Sequence, residues 1–363
     1  MLGFVALTAN LFKHIVSRRT HCVVVALLLL AACDKPALHH RESFVFGTRV
    51  EILIAGANEA QARPATTAVL QEFDRLHRTY HAWRPSELSD LSAALAEGKS
   101  VHVSSEMAAL LDDAKRFSAL GDGLFDPGIG QLISAWGFHS DEFKAALPDP
   151  SALAEWRENR AGIADLSIDG QIIGSRSRRV SLDLGGYLKG YALDRAAAIL
   201  RGQGINNALI NIGGNIMALG NKNGVPWSVG IQHPRQPGPL ATLQLHDGEA
   251  LGTSGDYQRF FELDGKRYCH LLDPVSGEPV MHTQALTVLI SPRPGAGTLS
   301  DMATKPLFIA GTRWPKLAVK LNVDQVLRVD ATGSFFVSPK MRERLEFTNG
   351  APKPELVSLP PMK

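Results

Sequence analysis

Apolar positions recur at helical spacing early in the chain. Val69, Leu70, Phe73, Leu76 and Tyr80 predict a helix over residues 64–80, with Pro64 in its first turn. The loop Trp83-Arg84-Pro85-Ser86-Glu87-Leu88 leads into a short second helix. Met107, Leu110, Leu111, Ala114 and Phe117 predict a third, capped by Ser105. Alternating and apolar runs predict strands at 46–54, 208–212, 227–232, 241–245 and 285–290. Hairpins are expected within 166–182 around Asp169-Gly170, at 257–272 around Asp264-Gly265, and at 325–337. Residues 191–200 read as a helix stopped by Gly202 and Gly204. Residues 299–310 are also helical in pattern, but Pro306 is expected to break or kink them. Strands and helices mix without a βαβ rhythm, which favours an α+β fold.

The first 32 residues follow a different pattern. Lys13, Arg18 and Arg19 precede the apolar run Cys22 to Leu30, and Leu30-Ala31-Ala32 leads to Cys33. A basic start, a short apolar stretch and small residues describe an export signal. The segment resembles a lipobox, which implies lipidation of Cys33 and, with Asp34 next, retention on the periplasmic side of the inner membrane. Residues 1–32 are therefore expected to be removed, 33–43 to form a polar tether, 44–347 the folded domain, and 348–363 a loose Pro-rich tail. Without residues 1–32 the chain has 35 basic and 36 acidic residues, a net of −1, and its only cysteine besides Cys33 is Cys269. That balance points away from nucleic acid. No disulfide can form within the chain, so stability must come from a core that 363 residues at 45% hydrophobic composition can supply.

Four segments place glycines beside an acid, a hydroxyl or a lysine, and a fifth carries the acid, hydroxyls and lysine without a glycine. They are Phe125-Asp126-Pro127-Gly128, Asp183 to Asp194 with Gly185-Gly186 and Lys189, Asn211 to Asn215, Gly252 to Tyr257, and Ser300 to Lys305. Each alone reads equally well as a turn; together they suggest backbone N–H groups and a helix start arranged around phosphate. The chain contains no HExxH, CxxC, Walker or GxSxG pattern. His270 adjoins the turn Asp273-Pro274, which leaves a structural and a ligand-facing role equally open.

These segments resemble the ApbE family, the FAD:protein FMN transferases. The matching residues are Gly47-Thr48, Trp83 with Ser86-Glu87-Leu88, Phe125-Asp126-Pro127 with Trp136-Gly137-Phe138, Asp183 to Asp194, and Asn211 to Gly214. They continue through Thr253 to Tyr257, His270 with Asp273-Pro274, and Ser300-Asp301 with Leu307-Phe308. The resemblance implies the family's mixed fold, with antiparallel-rich sheets and packed helices. It also implies a reaction. FAD is bound, Mg²⁺ assists cleavage of its pyrophosphate, FMN passes to a threonine hydroxyl of a partner protein, and AMP leaves. A respiratory or electron-transfer subunit is the expected acceptor. Carried over by position, Phe46, Trp83, Leu124, Phe125, Asp126, Asp183, Lys189 and Leu272 line the FAD site. Gly186 and Asp301 face the metal, and Asp301, Lys189 and His270 are the catalytic candidates.

The chain departs from the pattern at one place. The family places a second metal-binding residue, a threonine, four positions after the aspartate; here that position is Lys305, between Thr304 and Pro306. A charged lysine has no lone pair for Mg²⁺. Three arrangements are open. Thr304 turns inward at a Pro306 kink and binds the metal, or the ammonium takes the cation's place, or FAD is carried without efficient transfer. Hydrolysis of FAD to FMN and AMP is a further possible outcome.

Overall fold

The computed structural model describes residues 38–140, 142, 144–348, 350 and 353–361, so the export signal and Cys33 lie outside the described residues. A nine-stranded sheet forms the centre. Its strands are β1 (Leu38–Val45), β2 (Thr48–Ala55), β3 (Ala208–Ile212), β4 (Asn215–Leu219), β5 (Ala250–Gly255), β6 (Thr283–Ile290), β7 (Val326–Asp330), β8 (Phe335–Val337) and β9 (Glu355–Leu356). Their order across the sheet is their order along the chain. Neighbours are antiparallel up to β8, and β9 joins β8 in parallel. The helices are α1 (Glu59–Thr79), α2 (Glu87–Ala96), α3 (Ser105–Leu120), α4 (Gly130–Ala135), α5 (Pro150–Glu158), α6 (Leu188–Gly202), α7 (Ala296–Ala310), α8 (Trp314–Lys320) and α9 (Pro339–Arg344).

Period-two alternation assigns the two faces of the sheet. Val50, Ile52, Ile54, Ala208, Ile210, Leu286 and Val288 pack under α1, α6 and α7. Leu209, Ile216, Ala218, Leu251 and Leu289 face the other way, onto Trp227, Val229, Leu243 and Leu245 of a three-stranded sheet. Covering both faces explains why β6 is buried at every position, its Thr283, Gln284 and Thr287 included. The fold is α+β, as the mixed pattern predicts.

Several boundaries differ from the expectation, each for a local reason. Helix α1 starts at Glu59, five residues before Pro64. Asn58 caps it, accepting the Gln61 N–H at 3.0 Å while the Gln61 side chain accepts the Asn58 N–H. Ser104, not Ser105, caps α3. Helix α7 continues through Pro306 as one element. The expected tether over 33–43 gives way to β1 from Leu38 onward. As an edge strand it carries His40 and Glu42, and this polarity conceals its pairing with β2. The tail is not uniformly loose either, since β9 pairs with β8 and the Val357 N–H donates to Val337 O at 2.9 Å.

Candidate functional site

Helix α7 is seated by backbone contacts. Asp194 of α6 accepts the Gly297 and Thr298 N–H groups at 2.9 and 2.7 Å, capping a helix whose own Gly295 offers no side chain. Glycines let its neighbours close in. A Cβ at Gly190 would lie 2.3 Å from Gly297 O and 2.6 Å from Asp301 Cβ. A Cβ at Gly252 on β5 would lie 2.1 Å from Ser300 O. Two of the glycine segments therefore clamp α7 on either side of Asp301, and steric closeness is their task there.

Asp301 is fully buried. Its Oδ2 accepts the Gly190 N–H at 2.9 Å and its Oδ1 pairs with the Lys305 ammonium, which also donates to Asp301 main-chain O at 2.8 Å. Burial opposes ionisation of Asp301, but Lys305 and Lys189 outweigh it and hold the carboxyl below its usual range. Burial pulls Lys305 down to about 8, with Asp301 opposing that shift. Thr304 lies about 100° round the helix. Its hydroxyl donates to Asp301 O at 2.7 Å and accepts from Ser254 of β5 at 2.7 Å, so it does not turn toward the carboxylate. Gly186 lies over the lysine: a Cβ there would be 3.2 Å from Lys305 Cε and 3.4 Å from the Phe125 ring. No described residue accepts a hydrogen bond from the Lys189 ammonium, although its charge acts on Asp301, Lys305 and His270.

These residues do not fit the Mg²⁺ that the resemblance implies. A hard dication needs about six oxygen donors. Both Asp301 oxygens are engaged, the Thr304 hydroxyl is engaged, and the Lys305 stem fills the space beneath Gly186.

A strip of rings runs on from the lysines. His270 Nδ1 lies 3.1 Å from Arg259 O, which makes Nδ1 the donor and leaves the lone pair on Nε2. Burial, then Arg259, pull His270 down to about 3, so the imidazole is neutral. Arg259 donates to Phe138 O at 2.8 Å, and its guanidinium sits 5.7 Å from the Trp83 ring centre. Trp83 stacks on His139 with centroids 5.2 Å apart and meets His81 edge-on at 4.9 Å; His81, His77 and Phe46 follow in sequence. The His139 Nε2 is buried with no hydrogen-bond partner among the described residues. An unsatisfied polar atom among stacked rings fits a site that takes a polar aromatic ligand. Phe46 reaches the strip from a two-residue turn in which it adopts φ 56°, a left-handed conformation unusual for a bulky residue.

The structure therefore brings Phe46, Trp83, Phe125, Gly186, Lys189, His270, Asp301 and Lys305 into one connected region. Asp183 joins it through its charge on His139, and its Oδ1 holds the Gly185 N–H at 2.8 Å. Three of the expected FAD contacts have structural partners of their own. Asp126 Oδ1 accepts the Gly128 and Ile163 N–H groups at 2.7 and 2.8 Å, tying two loops together, and burial pushes this carboxyl up to about 6. Leu272 packs in a side core with Leu132, Trp136 and Trp156. Leu124 borders a cavity of about 200 Å³ with Asp122, Arg313 and Lys316, toward the C-terminal end of α7. Arg259 and His139 were not foreseen; neither belongs to a glycine segment, and only the fold brings them against Trp83.

The neutrality of His270 has a measurable consequence. A histidine whose folded pKa lies below its unfolded value of 6.5 contributes fully above 6.5 and loses that contribution as pH falls toward 3. The urea midpoint is expected to drop between pH 7 and 4.5, and His270→Gln is expected to flatten that drop. Equal slopes in the two proteins would show that other groups carry the effect.

The ApbE family model matches residues 46–327. The chain is 39% identical over 350 residues to an FAD:protein FMN transferase of Rhodobacter capsulatus, covering 94% of this chain and 66% of that relative, just under two thirds of its length. It is 32% identical over 320 residues to an FAD:protein FMN transferase of Vibrio cholerae, covering 86% and 94%. Among solved structures, the ApbE protein of Thermotoga maritima aligns with TM-score 0.76 at 28% identity, covering 85% of this chain and 99% of that one. The flavin transferase ApbE of Vibrio cholerae aligns with TM-score 0.74 at 26% identity and the same coverage.

Proposed function

Because this chain belongs to the ApbE family, we propose that it is an FAD:protein FMN transferase, moving FMN from FAD onto a threonine hydroxyl of an acceptor flavoprotein and releasing AMP. The observation that carries this reading is a neutral imidazole beside a cluster of fixed charge. His270 offers Nε2 as a base, with Lys189, Lys305 and Asp301 close enough to act on it or on each other electrostatically. The acceptor hydroxyl oxygen attacks the FMN phosphorus. A new O–P bond forms, the P–O bond to AMP breaks, and AMP leaves with the electron pair. The hydroxyl proton passes to His270 Nε2, the anionic pyrophosphate offsetting the Lys189 and Lys305 charge that otherwise opposes imidazolium. Lys189 and Lys305 offset charge on the pyrophosphate. Trp83 and His139 orient a flavin or adenine ring.

The acceptor is proposed to be a subunit of a respiratory or electron-transfer complex facing the periplasm. The enzyme would be tethered there by lipid on Cys33. Strand β1 begins at Leu38, so full extension from Cys33 spans only about 18 Å. No described helix is long and apolar enough to cross a membrane.

The test incubates purified protein with FAD and a threonine-containing acceptor, then measures AMP and in-gel flavin fluorescence. AMP with a fluorescent acceptor band is expected. AMP with free FMN alone would make the protein a pyrophosphatase, and bound FAD with no AMP would make it a flavin carrier. Either result sinks the transfer reading.

A further inference from the structure

We infer that the Lys305 ammonium is this protein's resident cation: it occupies the place against Asp301 that a divalent ion would take, and FAD pyrophosphate is cleaved without Mg²⁺. The inference deepens the FMN-transfer reading and, for its catalytic half, rests on it.

Three observations carry it. The first is the accounting of donors. Oδ2 of Asp301 is held by Gly190 N–H and Oδ1 by Lys305, while the Thr304 hydroxyl is shared between Asp301 O and Ser254. A metal entering here would meet a carboxylate already hydrogen-bonded at both oxygens and would have to displace an ammonium. The second is space. The lysine stem lies in the gap between Gly186 and Asp301, and its side chain is only 14% exposed. The cation is therefore walled in rather than swinging in solvent. The third is charge. Lys305 and Lys189 together carry +2 at one place, the charge of a single divalent ion, and each acts electrostatically on Asp301.

The ammonium also keeps a function for substrate. It has three N–H donors, of which Asp301 Oδ1 and Asp301 O take two. The third is left for a phosphate oxygen. The role of the pair is thus to present a positioned hydrogen-bonding cation, with Asp301 as its anchor, where other designs present a metal. In the transfer step no redox partner is needed; the lysine only offsets charge as the P–O bond to AMP breaks.

The test separates metal binding from turnover. Mn²⁺ is titrated into wild type, Lys305→Thr and Lys305→Gln and followed by electron paramagnetic resonance, and FAD binding is followed by flavin fluorescence. AMP release is then measured in EDTA and in Mg²⁺. Wild type is expected to bind no stoichiometric Mn²⁺, and its AMP release is expected to differ less than twofold between EDTA and Mg²⁺. Lys305→Thr is expected to gain one Mn²⁺ and to become Mg²⁺-dependent. Lys305→Gln, which neither bears charge nor frees the space, is expected to bind FAD and to lose AMP release about 100-fold or more. One Mn²⁺ per wild-type chain, removed by Asp301→Asn, overturns the inference, as does unchanged turnover in Lys305→Gln. If no protein releases AMP but Lys305→Thr alone gains Mn²⁺, the cation assignment stands and the transfer reading falls.

Discussion

Replacing Asp301 with alanine is expected to cost about 3–5 kcal/mol of stability and to remove FAD cleavage. The size follows from what remains. Lys305 keeps its largely buried ammonium with only a main-chain carbonyl for company, and the Gly190 N–H loses its acceptor inside a tight helix crossing. A buried charge stripped of its partner is far more costly than the pair is beneficial. The double variant Asp301→Ala/Lys305→Met is therefore expected to be more stable than Asp301→Ala alone, because it removes the stranded charge. Urea unfolding of the two single variants and the double variant gives the coupling directly. An Asp301→Ala protein within 1 kcal/mol of wild type would mean that the lysine finds another counter-ion. Loss of AMP release in Asp301→Asn, with FAD still bound, would separate the loss of anchoring charge from loss of fold.

Gly190→Ala is expected to destabilise, although the same change stabilises most helices. On an open helix face alanine is worth about 1 kcal/mol over glycine. At Gly190 the new methyl would stand 2.3 Å from Gly297 O and 2.6 Å from Asp301 Cβ, both on a helix that Asp194 and Gly252 hold from other sides. Overpacking of this kind costs about 1–3 kcal/mol or more, so the sign reverses. The control is Gly202→Ala at the end of the same helix, where a Cβ meets nothing within 4 Å. It is expected to leave stability unchanged or raised by a few tenths of a kcal/mol. Calorimetry on the two variants should show transitions moving apart. Gly190→Ala is also expected to lower AMP release, because it pushes the Asp301–Lys305 pair away from Gly186. If both variants behave alike, the close approach of α6 and α7 is not enforced by sterics.

The strands and helices with strong periodicity were legible because burial on a known face leaves a repeating mark. Residues 227–232 show this with alternating burial, while the hairpins around Asp169-Gly170 and Asp264-Gly265 were legible from their turn residues. The start of α1 was not legible in the same way. Its first turn is polar, and its signal is the Asn58–Gln61 cap rather than a stripe. Strand β1 looked like a tether because a solvent edge demands charge. Within the site, Asp301 and Lys305 announce themselves by their i, i+4 spacing, but spacing alone could not decide between Thr304 and Lys305. That choice is made by Ser254, which reaches Thr304 from a strand some fifty residues away and draws its hydroxyl to the sheet. Glycines were legible as important and misread as to why, since a sequence cannot distinguish a glycine that admits phosphate from one that admits another helix. Arg259 and His139 became visible only through tertiary contact.

The central sheet has one more consequence. Because its strands follow one another across the sheet in chain order, each strand has its partner immediately before it among the strands of that sheet. Pairing can therefore proceed from the N-terminal edge without waiting for a later strand. Helix α7 follows β5 and β6 in the chain, so the elements that clamp Asp301 and Lys305, namely α6, β5 and α7, all precede β7, β8 and β9. The Asp301–Lys305 site is thus drawn from the earlier part of the sheet, and the later strands extend its far edge.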